Sequence, residues 1–135
     1  MLTLDQVRYI MSKDIYATEQ TGIVIDSIGP DTAECSMQIT PKHMNAKGSV
    51  MGGAIFTLAD FCFAAAANNS GEYIGFSVES NITFLRAGQE GTLHAKAVPL
   101  KMGKAICFYR VEIYDNNGEQ IAEAAITGCR QAVKK

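Results

Sequence analysis

The sequence predicts an α+β fold: a curved antiparallel sheet wrapped around one long central helix, with a short N-terminal helix ahead of both. Two observations carry this. Residues 50–67 are nearly all apolar or small, so as a helix they have no polar face and need cover on almost all sides. Two strand-like runs precede that segment and four follow it, with turn-forming residues between them. One sheet curling over one helix satisfies both observations. The 135 residues suffice for one core, so 1–135 is expected to form a single domain.

The elements follow in chain order. Thr3, Asp5 and Gln6 make a helix start, and Leu4, Val7, Tyr9, Ile10 and Met11 give a rough three-to-four-residue spacing up to Lys13. Ile23, Val24 and Ile25 favour a strand over 22–27. Gly29-Pro30-Asp31 is turn chemistry, after which 32–40 alternates through Ala33, Cys35, Met37 and Ile39, so the pair reads as a hairpin. Residues 41–53 are rich in breakers and open into the helix. That helix is expected over 52–69, with Asn68, Asn69, Ser70 and Gly71 supplying polar end residues and a left-handed stop. Strands are then expected over 75–86, 91–101, 104–114 and 120–130. Ala87-Gly88 with Gly91, Met102-Gly103 and Asp115-Asn116-Asn117-Gly118 separate them, the last being a strong hairpin signal.

Composition excludes several classes of function. Hydrophobic residues at 47% and charged residues at 19% favour a packed core over disorder. A net charge of -2, with its 12 Lys and Arg dispersed, gives no basic stripe for nucleic acid. The apolar segment barely reaches spanning length and holds Asp60, Gly52 and Gly53 without basic or aromatic end anchors, so a membrane span is not expected. The first residues lack the basic start and apolar run of an export signal, and the expected location is the cytoplasm. Cys35, Cys62, Cys107 and Cys129 lie far apart in apolar surroundings, and neither His43 nor His94 is spaced as a ligand beside them. They read as small buried hydrophobes, and no metal or cofactor is expected.

Asp60 is the informative residue. Leu58, Ala59, Phe61 and Cys62 surround it in sequence, and loss of hydration would raise its pKa and make it a stronger base once ionised. Gly52-Gly53 at the helix start supplies free amides and the positive end of the helix dipole, which can polarise a carbonyl. Asp60 comes eight residues after Gly52. At a rise of ~1.5 Å per residue the two are separated by roughly 12 Å along one helix, so one carbonyl cannot touch both. A two-fold dimer with antiparallel helices removes the difficulty, because it sets the amide end of one helix beside the middle of its mate.

The segment Asn45-Ala46-Lys47-Gly48-Ser49-Val50-Met51-Gly52-Gly53, followed by Leu58-Ala59-Asp60, resembles the signature of hotdog-fold acyl-CoA thioesterases. It is most similar to the phenylacetyl-CoA thioesterase branch and the thioesterase superfamily member 2 type. The likeness continues through residues 77–86 and Met102-Gly103-Lys104, and so covers most of 22–130. The resemblance implies that Asp60 is nucleophile or general base, that the Gly52 amide polarises the thioester carbonyl, that Asn45 places the attacking water and that Ser77 assists near it. It implies an acyl-CoA substrate, with Gly53, Arg86, Gly103 and Lys104 as the substrate-binding positions, and a homodimer that pairs again into a tetramer in many members. Arg86, Lys101, Lys104 and Arg110 stand at expected strand ends, where charged groups can meet phosphate and solvent. Two positions depart from the phenylacetyl-CoA branch: Met51 stands where a histidine is common, and Ala87-Gly88 where a proline is often found. The resemblance therefore implies the reaction without the acyl group.

Rival chemistries need groups this chain lacks. A hydratase of the same fold requires a histidine shortly after the acid, and no histidine follows Asp60 before His94. A non-catalytic acyl-CoA binding or sensing protein is the alternative from a different class, because a fold does not fix a function.

Overall fold

A computed structural model, described over residues 1–134, has the expected architecture. Helix α1 (Leu4–Met11) starts at Thr3 in a complete capping box with Gln6 and buries Val7 and Met11. Strands β1 (Ile23–Gly29) and β2 (Thr32–Gln38) form the first hairpin, in whose turn Asp31 takes a left-handed φ of 56°. Acidic and amide side chains tolerate that conformation better than most. Helix α2 (Gly52–Ala67) follows, then β3 (Tyr73–Phe84), β4 (Thr92–Met102), β5 (Ile106–Tyr114) and β6 (Gln120–Ala132). At the β5–β6 turn Asp115 Oδ1 accepts from the Asn117 and Glu119 amides and Gly118 is left-handed, as the turn signal predicts.

The strands form one antiparallel sheet in the order β1-β2-β4-β5-β6-β3, so β1 and β3 are its edges. Bulges at Ile25/Ser27, Ser77/Glu79 and Pro99/Lys101 bend it around α2. This is the hotdog arrangement that the motif resemblance implies. The core lies between Leu58, Ala59, Cys62 and Phe63 of α2 and Met37, Leu93, Val111 and Ile126 of the sheet, all of them buried. Truncation of one such side chain, Leu58→Ala for example, costs about 2–5 kcal/mol. Cys35, Cys62 and Cys107 are also buried, and all four cysteines are free thiols, in keeping with their reading as small hydrophobes.

The helix departs from expectation in two ways. Its cover is incomplete, because the stripe that carries Gly53 and Asp60 faces away from the sheet and stays exposed. Its end is also different. α2 stops at Ala67, Asn68 has φ −119°, and the first left-handed residue is Gly71 at +80°. Side-chain hydrogen bonds end the helix instead. Asn68 Nδ2 donates to the Ala64 and Gly75 carbonyls while its Oδ1 accepts from the Gly75 amide, which ties the helix end to β3. Two short elements lie outside the sequence reading: a π-helical turn at Tyr16–Gln20 and a 3-10 turn at Pro41–His43. No helix among the described residues is long and apolar enough to cross a membrane.

Candidate active site

Asp60 lies on the open stripe of α2 and is exposed in the single chain, which corrects the expectation of a carboxylate enclosed in the core. The reason is geometric. The sheet wraps the faces of α2 that carry Leu58, Ala59, Cys62 and Phe63, and edge strand β3 leaves the remaining face uncovered. Partial desolvation nevertheless pushes the Asp60 carboxyl above the usual carboxylate range, a hydrogen bond from Ser77 pulls it back, and the negative charge of Asp14 pushes it up again.

The bulge in β3 explains why Ser77 reaches Asp60. Gly75 and Ser77 turn toward the helix, then Val78 is the extra residue at which the register to β6 shifts. The Ser77 hydroxyl donates to Asp60 Oδ1 at 3.5 Å, the outer limit of such a bond. The sequence reading singled out both residues, and the fold brings them together.

At the start of α2 neither the Gly52 nor the Gly53 amide donates to an acceptor among the described residues, and Met51 supplies no side-chain cap. These orphan donors and the positive end of a 16-residue helix dipole face outward. A Cβ on Gly52 would stand 2.9 Å from Phe84 Cζ, so the position is tight on that side. In one chain the Gly52 amide stays far from Asp60, by the same helical rise that the sequence dictates.

A cleft of roughly 600 Å³ opens beside Asp60. Gly53, Phe56, Thr57, Asp60 and Phe61 form one wall at helical spacing, and Asp14, Ile15, Tyr16 and Ala17 form the other. The second wall escapes a reading by periodicity because the chain turns there in a π-helical conformation. The only hint in the sequence is the apolar pair Ile15-Tyr16 immediately after a helix that has already ended. The aromatic rings of Phe56 and Phe61 line this cleft. Phe63 packs edge-on against Tyr109 at 5.1 Å, and Tyr73 lies under the Arg130 guanidinium at 4.1 Å.

The other expected positions stand apart from Asp60. Asn45 spends its side chain on its own loop: Oδ1 accepts from the Lys47 and Ser49 amides and Nδ2 donates to Ser49 Oγ. Arg86 lies just beyond β3, beside the start of β6, and pairs with Glu119. Gly103 and Lys104 lie at the other end of β6, where the Gly103 carbonyl accepts from Arg130 and the Arg130 amide donates to Ala105. With Arg86 at Ile121 and Lys104 near Arg130, about nine strand residues at ~3.3 Å each separate the two cations within one chain. They cannot grip one phosphate together in a single subunit. Arg110 is occupied by Glu112 and Glu123, while Lys101 is exposed. His43 caps its loop from inside: its Nδ1 accepts from the Thr40 amide and its Nε2 donates to the Thr21 carbonyl. Among the described residues no three His, Cys, Asp or Glu side chains converge where an ion could sit.

Comparison with known proteins agrees with this geometry. The profile of the thioesterase superfamily matches residues 47–122, the stretch that contains Gly52, Asp60 and Ser77. The acyl-coenzyme A thioesterase PaaI of Escherichia coli is 32% identical over 118 residues, which cover 87% of this chain and 84% of that protein. A putative esterase of Deinococcus radiodurans is 33% identical over 96 residues, or 70% of this chain, and the match spans only 64% of that protein's length. The solved structure of the E. coli PaaI protein from the phenylacetic acid degradation operon superposes with a TM-score of 0.83 at 28% identity, covering 96% of each chain.

Proposed function

The chain belongs to the thioesterase superfamily, and on that premise we propose that it hydrolyses an acyl-CoA thioester at a site in which Asp60 of one subunit works with the Gly52 amide of another. The observation that carries the reading is the position of Asp60: an ionisable group of raised pKa on the open face of an otherwise apolar helix, at the wall of an apolar cleft. The name of the E. coli relative supplies the substrate class, acyl-CoA.

The residues suit the chemistry. Thioester hydrolysis consumes one water and yields a carboxylic acid and a thiol. As general base, Asp60 removes a proton from water as its oxygen attacks the carbonyl; as nucleophile, it attacks directly and water then cleaves the resulting anhydride. In both routes the carbonyl oxygen gains negative charge, which the free Gly52 N–H and the helix dipole stabilise. The departing CoA thiolate leaves as thiol after taking up one proton. The Ser77 hydroxyl orients the carboxylate, and Asn45 enters through its loop, which leads directly into the helix start.

Edge strand β3 supports assembly into a homodimer. Its outer edge is unpaired over 12 residues, and Ile74, Phe76 and Val78 on it are more than half exposed. A long apolar edge of this kind favours pairing with another strand. Two-fold pairing there extends the sheet and sets the helices antiparallel, which the separation of Gly52 from Asp60 demands. On this reading residues 1–135 act as one catalytic domain in the cytoplasm, in dimers that pair into tetramers, and CoA is held by Gly53 with Arg86, Gly103 and Lys104 drawn from different subunits.

The test is release of free thiol from a panel of acyl-CoAs by the wild type and by Asp60→Asn. Turnover that falls about a hundredfold or more in the variant, with the oligomer intact, supports the reading. Saturable acyl-CoA binding without thiol release would instead make the chain a binding protein.

A further inference from the structure

The hydrolase reading leaves the acyl group open, and the inference here rests on that reading and narrows the group by charge. Within one subunit the cleft beside Asp60 has Ile15, Ala17, Phe56 and Phe61 as apolar walls, and among the described residues Asp14 and Asp60 are the only charged groups that line it.

Asp14 has no evident role in the stability of the fold. It follows the C-terminal end of α1, where the helix dipole disfavours a negative charge. It does not cap the next turn either, whose N-terminal position is Ile15 and has no side-chain cap. Its backbone is fixed on both sides, since its amide donates to the Met11 carbonyl and its carbonyl accepts from the Thr18 amide and hydroxyl, all at 3.0 Å. Its carboxylate forms none of the ion pairs among the described residues, which use Asp5, Glu112, Glu119 and Glu123. A backbone fixed on both sides therefore holds an unpaired carboxylate, exposed in the single chain, at the wall of the cleft that also holds Asp60.

We propose that Asp14 sets the charge class of the substrate: the cleft takes uncharged acyl chains and rejects those that end in a carboxylate. A terminal carboxylate entering between Phe56 and Ile15 would lose water, find no cation on that subunit's walls and face two acids. An uncharged chain of equal length loses only its contact with water, which favours entry. At a separation of several ångströms in a partly solvated site, one like charge is worth on the order of tenfold in kcat/KM.

The experiment compares hexanoyl-CoA with adipoyl-CoA, six-carbon acyl groups that differ in the terminal carboxylate. Wild type is expected to prefer hexanoyl-CoA by about a hundredfold, and Asp14→Asn to raise the adipoyl-to-hexanoyl ratio of kcat/KM about tenfold. Because any change in Asp60 reactivity acts on both substrates, the ratio isolates the charge at position 14. An unchanged ratio in Asp14→Asn, or equal use of both substrates by wild type, overturns the proposal. Calorimetry with the uncleavable thioethers S-hexyl-CoA and S-(5-carboxypentyl)-CoA keeps the two readings separable should no thioester be cleaved. Preference for the neutral ligand that Asp14→Asn narrows still supports the charge filter, and equal affinities sink it.

Discussion

The Ser77 hydroxyl meets Asp60 Oδ1 at 3.5 Å, joining the bulged edge strand to the middle of the central helix. This contact positions the Asp60 carboxylate and tunes its titration at once. The hydrogen bond stabilises the ionised form, against desolvation and the Asp14 charge, which stabilise the protonated one.

Removing the hydroxyl therefore moves the acid limb of activity. In Ser77→Ala the carboxyl titrates higher still, so a larger fraction is protonated and inactive under mildly acidic conditions. Activity should fall about two- to fivefold on the acid limb of the profile and little on its alkaline plateau, in line with the modest worth of one long hydrogen bond. The profile of kcat/KM against pH checks this, and an acid limb identical to wild type contradicts it.

The raised pKa of Asp60 also has a consequence for stability. A carboxyl that titrates higher in the folded protein than in the unfolded chain favours folding while protonated. That contribution is full below the ordinary carboxylate range and is lost as pH rises through the folded value. At pH 7 the ionised Asp60 thus burdens the fold, and Asp60→Asn should melt at a higher temperature. Solvent on the open side of Asp60 limits the gain to a few degrees. Thermal denaturation at pH 7 and pH 3 tests the sign: the advantage should close at the lower pH, and an advantage independent of pH would assign it to another cause.

The sequence made some of this legible and concealed the rest, for physical reasons that differ by residue. The Thr3 capping box, the Asp115 turn and the strand pattern are local chemistry, and local chemistry can be read directly. Asp60 stood out because an acid in an oily helix needs a reason. Its exposure did not follow from the sequence, since which stripe of α2 stays open depends on where the sheet ends. Arg86 and Lys104 looked equivalent at two strand ends, and only the register of β3 and β6 sets them at opposite ends of the sheet. The turn holding Asp14 and Tyr16 has no helical or strand period, and the apolar pair Ile15-Tyr16 is its one trace in the sequence. Asn45 carries a local signal of its own: an Asn two residues before Lys47 and three before left-handed Gly48 is the chemistry of a self-bonded loop.

The most direct test of a shared site is complementation between two inactive variants. Gly52→Pro deletes the proposed carbonyl donor, and proline suits the first helical position after Met51, whose ψ of 135° is already the extended conformation proline demands. Phe84 must yield slightly to the ring, so circular dichroism should confirm that the variant folds. Asp60→Asn deletes the acid. Subunits of the two variants are mixed under conditions that allow exchange, and hydrolysis of a neutral acyl-CoA is followed. Half the dimers then carry one intact Asp60 opposite one intact Gly52, and the account predicts recovery of about a quarter of wild-type activity. A mixture that stays inactive although mass spectrometry finds the mixed dimers, or a Gly52→Pro protein that is fully active alone, would contradict it.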